Sequence, residues 1–416
     1  MRDEMKKVPR LRFRGFQEDW ELCKLSSLMS FSNGINAPKE NYGKGRKMIS
    51  VMDILDEHPV KYEYIRNSVQ VNEEIESKNK VEYGDLVFVR SSEVPEEVGW
   101  AKAYLEEEYA LYSGFSIRGK KTNEFNSHFV ELTLNSINRK QIERKAGGST
   151  RFNVSQTILN SLELLVPKIE EQNKISYLFK KLDDTIALHQ RKLDQLKELK
   201  KAYLQVMFPA KDERVPKVRF ADFEEEWELC KLNTIYKKIR NAFVGTATPY
   251  YVKEGNFYLE SNNIKDGNIN QNTKVFINDE FYEKQKDKWL ETEDIVMVQS
   301  GHVGHTAVIP KELNNTAAHA LIMFQERKRE TNPYFLNYQF LTDTSKRKLD
   351  MITTGNTIKH ILASEMKSFE VFVCESAEEN LISDFFRKLD DTIALHQNKL
   401  EQLKDLKTSY LQNMFI

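Results

Sequence analysis

The ten residues KLDDTIALHQ stand at Lys181–Gln190 and again, unchanged, at Lys388–Gln397, 207 positions further on. Extended outward, the two copies run without a gap from Ser176 to Phe208 and from Ser383 to Phe415, with 24 of 33 positions identical. What repeats has a period of seven. Ile175, Leu182, His189, Leu196 and Tyr203 fall on one position, and Phe179, Ile186, Leu193, Lys200 and Met207 fall on another four residues along. The second copy supplies Ile382, Leu389, His396, Leu403 and Tyr410, with Phe386, Ile393, Leu400, Lys407 and Met414. Such an a/d seam, free of Gly and Pro and filled with Lys, Glu, Gln and Leu, predicts two long helices with one apolar stripe each.

The repeated Asp183, Asp184 and His189, with Asp390, Asp391 and His396, raise the alternative of a duplicated active site. Helix geometry argues against it. Adjacent aspartates point about 100° apart and cannot share a metal as i, i+4 ligands can. The histidines sit in the seam, where a polar residue sets register. The aspartates read as a solvated or partner-facing edge, and a pair of helices that dimerise replaces the site.

The repeat spans the whole chain. VPRLRFRGFQEDWELCKL from Val8 aligns with VPKVRFADFEEEWELCKL from Val215, so Cys23 and Cys230 are one position seen twice. Between these anchors the halves diverge, yet GDLVFVRSS (Gly84–Ser92) answers EDIVMVQSG (Glu293–Gly301) as a buried strand leaving into a polar loop. Gly147–Pro167 answers Thr354–Cys374 as a glycine turn, a short helix and a strand. PAKDERVP (Pro209–Pro216) joins the halves. The expected organisation is α+β: globular domains at 1–167 and 209–373, with helices at 168–208 and 374–416. Two repeats are too few for a solenoid but suffice for an internal pseudo-dimer with a pseudo-twofold axis. A helix of about 40 residues is roughly 60 Å long. Antiparallel pairing of two such helices would then put one domain at each end, with the helices as spacer.

Bulk properties exclude several classes. The chain has 416 residues, 40% hydrophobic and 30% charged, with a net charge of −1, an ordinary globular balance rather than a free-standing, strongly basic nucleic-acid binder. Three scattered cysteines are too few for a disulfide framework or zinc cluster. The charged start MRDEMKKVPRLRF is not followed by an apolar run, so a cytoplasmic protein without membrane attachment is expected.

The paired helices, the EEQNKI lead-in at Glu170–Ile175 and the Gly-Ser-Thr and Gly-Asn-Thr turns before them resemble the specificity subunit of type I restriction-modification enzymes over essentially the full chain. The resemblance implies that each variable domain is a target recognition domain reading one half of a split DNA sequence. It implies that the helices set the gap and dock two methyltransferase subunits, through which nuclease/translocase subunits attach. It implies a non-catalytic chain, with S-adenosylmethionine, ATP and magnesium held by the partners. The sequence agrees: no glycine motif with an Asn-Pro-Pro-aromatic partner and no phosphate-binding loop occurs in it. NPYF at Asn332–Phe335 lacks the second proline, aligns with NSHF at Asn126–Phe129, and reads as helix-start chemistry. In GHVGHTAV, His302 and His305 with His319 suggest a metal, but such a ligand set without a nearby acid or cysteine is weak, and a DNA-contacting loop is preferred. A two-lobed coiled-coil adaptor that binds only proteins is the rival.

Base edges and phosphates would then be met by loops leaving the skeleton strands. In the first half these are Lys44, Arg46 and Lys47 before a MISVMDIL strand, Ser50 and Asp53 at its end, Arg90, Ser91 and Ser92, and Ser149, Thr150 and Arg151 in the glycine turn. In the second half they are Lys237, Lys238, Arg240 and Asn241, then Glu260, Ser261 and Asn262, then Gln299, Ser300 and His302, then Asn356, Thr357 and Lys359.

Overall fold

A computed structural model describes residues 7–148, 150–355 and 359–416. The described residues form two compact units, one within 7–189 and 398–416 and one within 190–397.

In the first unit, β1 (Met29–Asn33), β2 (Leu86–Val89), β3 (Ala101–Ala103) and β4 (Ser116–Lys121) make an antiparallel sheet in the order β1-β4-β2-β3. The second unit repeats it with β5 (Tyr236–Asn241), β6 (Ile295–Val298), β7 (Thr306–Val308) and β8 (Leu321–Arg327) in the order β5-β8-β6-β7. The central strands β2 and β6 are buried along their whole length, as their unbroken apolar runs LVFV and IVMV require. A second sheet in each unit, of three strands in the first and four in the second, contains a parallel pair: Tyr42–Ile49 beside Leu111–Tyr112 in one, Asn256–Leu259 beside Ala317–Ala318 in the other. The cysteine-bearing strands Glu21–Lys24 and Glu228–Lys231 pair in matching register, Cys23 with Leu164 and Cys230 with Val371.

The predicted helices are α1 (Ile169–Val206) and α2 (Ser376–Asn413). All their apolar seam residues are buried or half-buried, as are His189 and His396. Within the first unit the start of α1 lies against the end of α2: Phe415 stacks on Phe129 at 5.5 Å and meets Phe179 at 5.8 Å and Trp20 at 6.4 Å. Within the second the roles exchange, and Phe208 meets Phe335 at 5.3 Å, Trp227 at 5.9 Å and Phe386 at 6.1 Å. Start against end is an antiparallel arrangement. The globular cores are therefore completed by helix residues rather than closed before the helices begin.

Two polar pairs, each present twice, pin this packing. Lys407 salt-bridges Asp183 in the first unit and Lys200 salt-bridges Asp390 in the second. The first aspartate of each KLDDTIALHQ is thus an interhelical partner, where a solvated or partner-facing edge was expected. Glu171 is held bidentately by Arg12 at 2.7 and 2.8 Å, and Glu378 by Arg219 at 2.7 and 2.9 Å. These pairs clamp the segment before each cysteine-bearing strand to the first turn of the long helix. Glu378 is fully buried and also accepts from the Trp227 indole at 3.1 Å. Asn126 and Asn332 cap the helices Ser127–Asn135 and Pro333–Phe340, which is the helix-start role read for NSHF and NPYF.

Removing one member of a buried pair strands the other charge. Arg219→Ala should destabilise the second unit by about 3–5 kcal/mol, and a joint Arg219→Met, Glu378→Leu replacement much less, read by denaturation and hydrogen exchange. Burial also pushes the Asp294 carboxyl up to about 6. The folded unit therefore keeps a proton that an unfolded chain sheds near pH 4. Stability should fall as pH rises from about 4 to about 6, and Asp294→Asn should flatten that slope.

Candidate nucleic-acid interface

In each unit the loop leaving the central strand runs alongside the glycine-turn loop, although some 60 residues separate them in sequence. In the first, the Arg90 carbonyl accepts from Val154 N at 2.9 Å, and Ser91 and Ser92 pair with Asn153 and Phe152. Arg151 Nε donates to Ser91 Oγ at 2.9 Å, and its guanidinium lies 5.7 Å from the centre of the exposed Phe115 ring. Gly148, at φ +130°, makes the turn; a Cβ there would stand 2.0 Å from the Arg151 carbonyl oxygen. A cleft of about 520 Å³ opens between these loops, lined by Asn33, Arg90, Lys145, Asn153 and the start of the Gln156–Asn160 helix. Its lining has two cations and no carboxylate.

The second unit matches this backbone with other side chains. The Gln299 carbonyl accepts from Ile361 N at 2.9 Å, Ser300 bridges to His360, and Gly301 N donates to the Lys359 carbonyl at 3.1 Å. His302 Nε2 lies 3.1 Å from the Ser261 carbonyl oxygen, which brings two expected contact loops together. Gln299 Oε1 is buried and has no hydrogen-bond partner among the described residues.

Other expected contact residues have structural duties. MISVMDIL is not one strand: the strand Tyr42–Ile49 ends there, and Ser50 caps a one-turn helix, Val51–Ile54. Ser50 N and Oγ donate to Asp53 Oδ2 at 2.8 and 2.6 Å, and buried Asp53 also accepts from Arg66 N at 3.3 Å, so its acceptors serve the fold. The second unit has the same box in Glu260 and Asn263, with Glu260 half-buried and accepting from the Tyr251 hydroxyl. Arg46 lies inside the strand, donating to Glu108 at 2.7 Å and to Tyr109 and Tyr62, and Lys47 donates to the Ile65 carbonyl at 2.7 Å. Lys44 is exposed between Gly43 and Gly45, both at positive φ.

Lys237 and Lys238 share Glu326, and Arg240 bonds Gln325 at 3.1 Å and the Asp287 carbonyl. Lys237 is the second residue of the strand that ends at Asn241, about 13 Å away at a strand's rise. Only Asn241 of that set is at the loop end. Thr150 and Asn262 are exposed, and Lys359 Nζ lies 3.8 Å from Asp350. Ser149, Asn356 and Thr357 lie outside the described residues. The rings of His302 and His305 lie 5.4 Å apart, but His305 Nδ1 accepts from Asp266 N at 3.2 Å and His319 Nε2 is 2.9 Å from the Gly245 carbonyl oxygen, and among the described residues no group of three or more His, Cys, Asp or Glu is placed to hold a metal.

Asn33, Phe115, Lys145 and Asn153 went unnoticed in the sequence. The offset could have found Asn153, since it aligns with His360 in the same turn. Phe115 has no such signal.

The model of the type I restriction modification DNA specificity domain matches this chain twice, over residues 17–198 and 224–405. The chain belongs to that family and is a type I restriction-modification specificity subunit, a non-catalytic component with two recognition domains. A relative from Methanocaldococcus jannaschii, named as the MjaX specificity subunit of a type I restriction enzyme, is 22% identical over 404 residues, covering 94% of this chain and 91% of its own. The fold resembles the crystal structure of the S subunit of the M. genitalium type I system, with TM-score 0.62 and 14% identity over 98% of this chain and 99% of that one. It also resembles a chain solved for the complex assembly and conformational transition of the type I system, with TM-score 0.55 and 14% identity over 95% and 97%. Among the described residues no helix is long and apolar enough to cross a membrane.

These placements separate the candidate residues. Lys237→Ala with Lys238→Ala should leave DNA affinity within about twofold, whereas Arg151→Ala, which removes one phosphate-competent cation, should weaken binding and lower its salt slope by about one. Titrations of the assembled complex at several salt concentrations would show it.

Proposed function

We propose that each unit reads one half of a bipartite, gapped double-stranded DNA target, while α1 and α2 set the gap and dock two methyltransferase subunits. Adenine methylation and, with nuclease/translocase subunits, restriction of unmodified DNA then occur in the partners, which hold S-adenosylmethionine, ATP and magnesium. One contrast carries this reading. The loops at the strand exits share a backbone frame but differ in side chains, whereas the helices repeat 24 of 33 residues, ten of them in one unbroken stretch.

That contrast is what two readers of different half-sites, joined to two copies of one partner, require. Leu188 and Leu395 occupy the same place in KLDDTIALHQ and are 62% and 69% exposed. Both lie outside the seam that packs within each unit, so they suit a partner's surface. The near-neutral charge fits as well, because methyltransferase subunits closing on the duplex would supply much of the phosphate-neutralising surface.

Co-expression with the candidate methyltransferase subunit, followed by mapping of methylated adenines, should give one gapped motif that disappears without this chain. A complex that forms and methylates without a gapped motif would contradict the assignment. Leu188→Asp with Leu395→Asp should abolish assembly while the melting temperature of the isolated chain stays unchanged.

A further inference from the structure

Arg90 and Gln299 occupy one place in the two units. Each is the first residue beyond the central strand, and each carbonyl accepts at 2.9 Å from the residue after the glycine turn, Val154 or Ile361. Each side chain is half-buried at the foot of its loop pair. The frame is therefore constant and the head group differs.

Neither head group is used up by its own domain. Arg90 makes one hydrogen bond, from Nη1 to the Gly114 carbonyl at 3.2 Å, and pairs with no carboxylate among the described residues. Arg12, Arg46 and Arg219 show the contrast, each being neutralised by a glutamate. Gln299 Oε1 has no hydrogen-bond partner among the described residues, so its acceptor is not spent on holding the fold.

The surroundings differ in the same sense. Lys145 and Asn153 flank Arg90. At the aligned positions the second unit has Ile352 and His360, and Leu362, next to Ile361, is 52% exposed where the first unit has Ser155. In the major groove, Arg pairs bidentately with guanine O6 and N7 and Gln with adenine N6 and N7, while an apolar side chain suits the thymine methyl.

We infer that these matched residues set base identity: Arg90 reads a guanine in a G·C pair of the first half-site, and Gln299 reads the adenine of an A·T pair in the second, with Leu362 against the thymine methyl. This rests on the proposal that each unit reads a half-site.

The test uses the assembled methyltransferase complex. Methylated adenines are mapped for the wild type, Arg90→Gln, Gln299→Arg and the conservative Arg90→Lys. Arg90→Gln should lose preference for one guanine of one half-site by about tenfold and leave the other half-site intact. Gln299→Arg should do the same to an adenine in the opposite half-site, and Arg90→Lys should retain guanine. A wild-type duplex assay guards against variants that fail to fold. Replacing each guanine in turn by 7-deazaguanine removes the N7 acceptor, and one position alone in the first half-site should weaken binding about tenfold. If the wild type shows no gapped motif, the reading beneath this inference fails. If the motif is present and either Arg90→Gln leaves it unchanged or no 7-deazaguanine position matters, the inference alone is overturned.

Discussion

Each unit depends on the burial of opposite ends of the two long helices, the start of one beside the end of the other. Phe415 fills the first core beside Phe129 and Phe179, and Phe208 fills the second beside Phe335 and Phe386. Truncating a buried phenylalanine costs about 3–5 kcal/mol, a large share of the stability available to a domain of this size. A unit that lost either helix segment would lose aromatic packing and an interhelical salt bridge together. The long helices are therefore parts of the cores and not tethers between finished domains.

That dependence explains the unequal pace of change along the chain. A seam residue must fit a core, and on the proposal that both copies meet the same partner the residues between seam positions present one surface, as the letter-for-letter agreement of Lys181–Gln190 with Lys388–Gln397 fits. The loops leaving β2 and β6 carry neither duty. Their backbones are held by the same pairings to the glycine turn, and Arg can stand where Gln stands without disturbing the sheet. Position is conserved by packing and chemistry is free to vary, which is the division a sequence-reading subunit needs.

Local periodicity made much of this legible. The seam, the central strands, the glycine turns and the Asn-capped helices each carry a signal within a few residues. Arg12 with Glu171 and Arg219 with Glu378 carry none, because 159 residues separate the partners. Lys237 and Lys238 look like free cations until β8 brings Glu326 across to them. Asp183 looked like a solvated edge because its partner, Lys407, belongs to the other helix. Asp53 is a different case: Ser50-x-x-Asp53 is a local capping signal, and the same polar atoms that suit a base edge were spent on starting a helix.

A chain ending at Gln397 tests the shared cores most directly. Hydrogen exchange followed by mass spectrometry should show β1–β4 losing their protection, because Met414 and Phe415 are gone from the first core, while β5–β8 keep theirs. Full protection of β1–β4 in the shortened chain would contradict the account, since the first unit would then be complete without the end of α2.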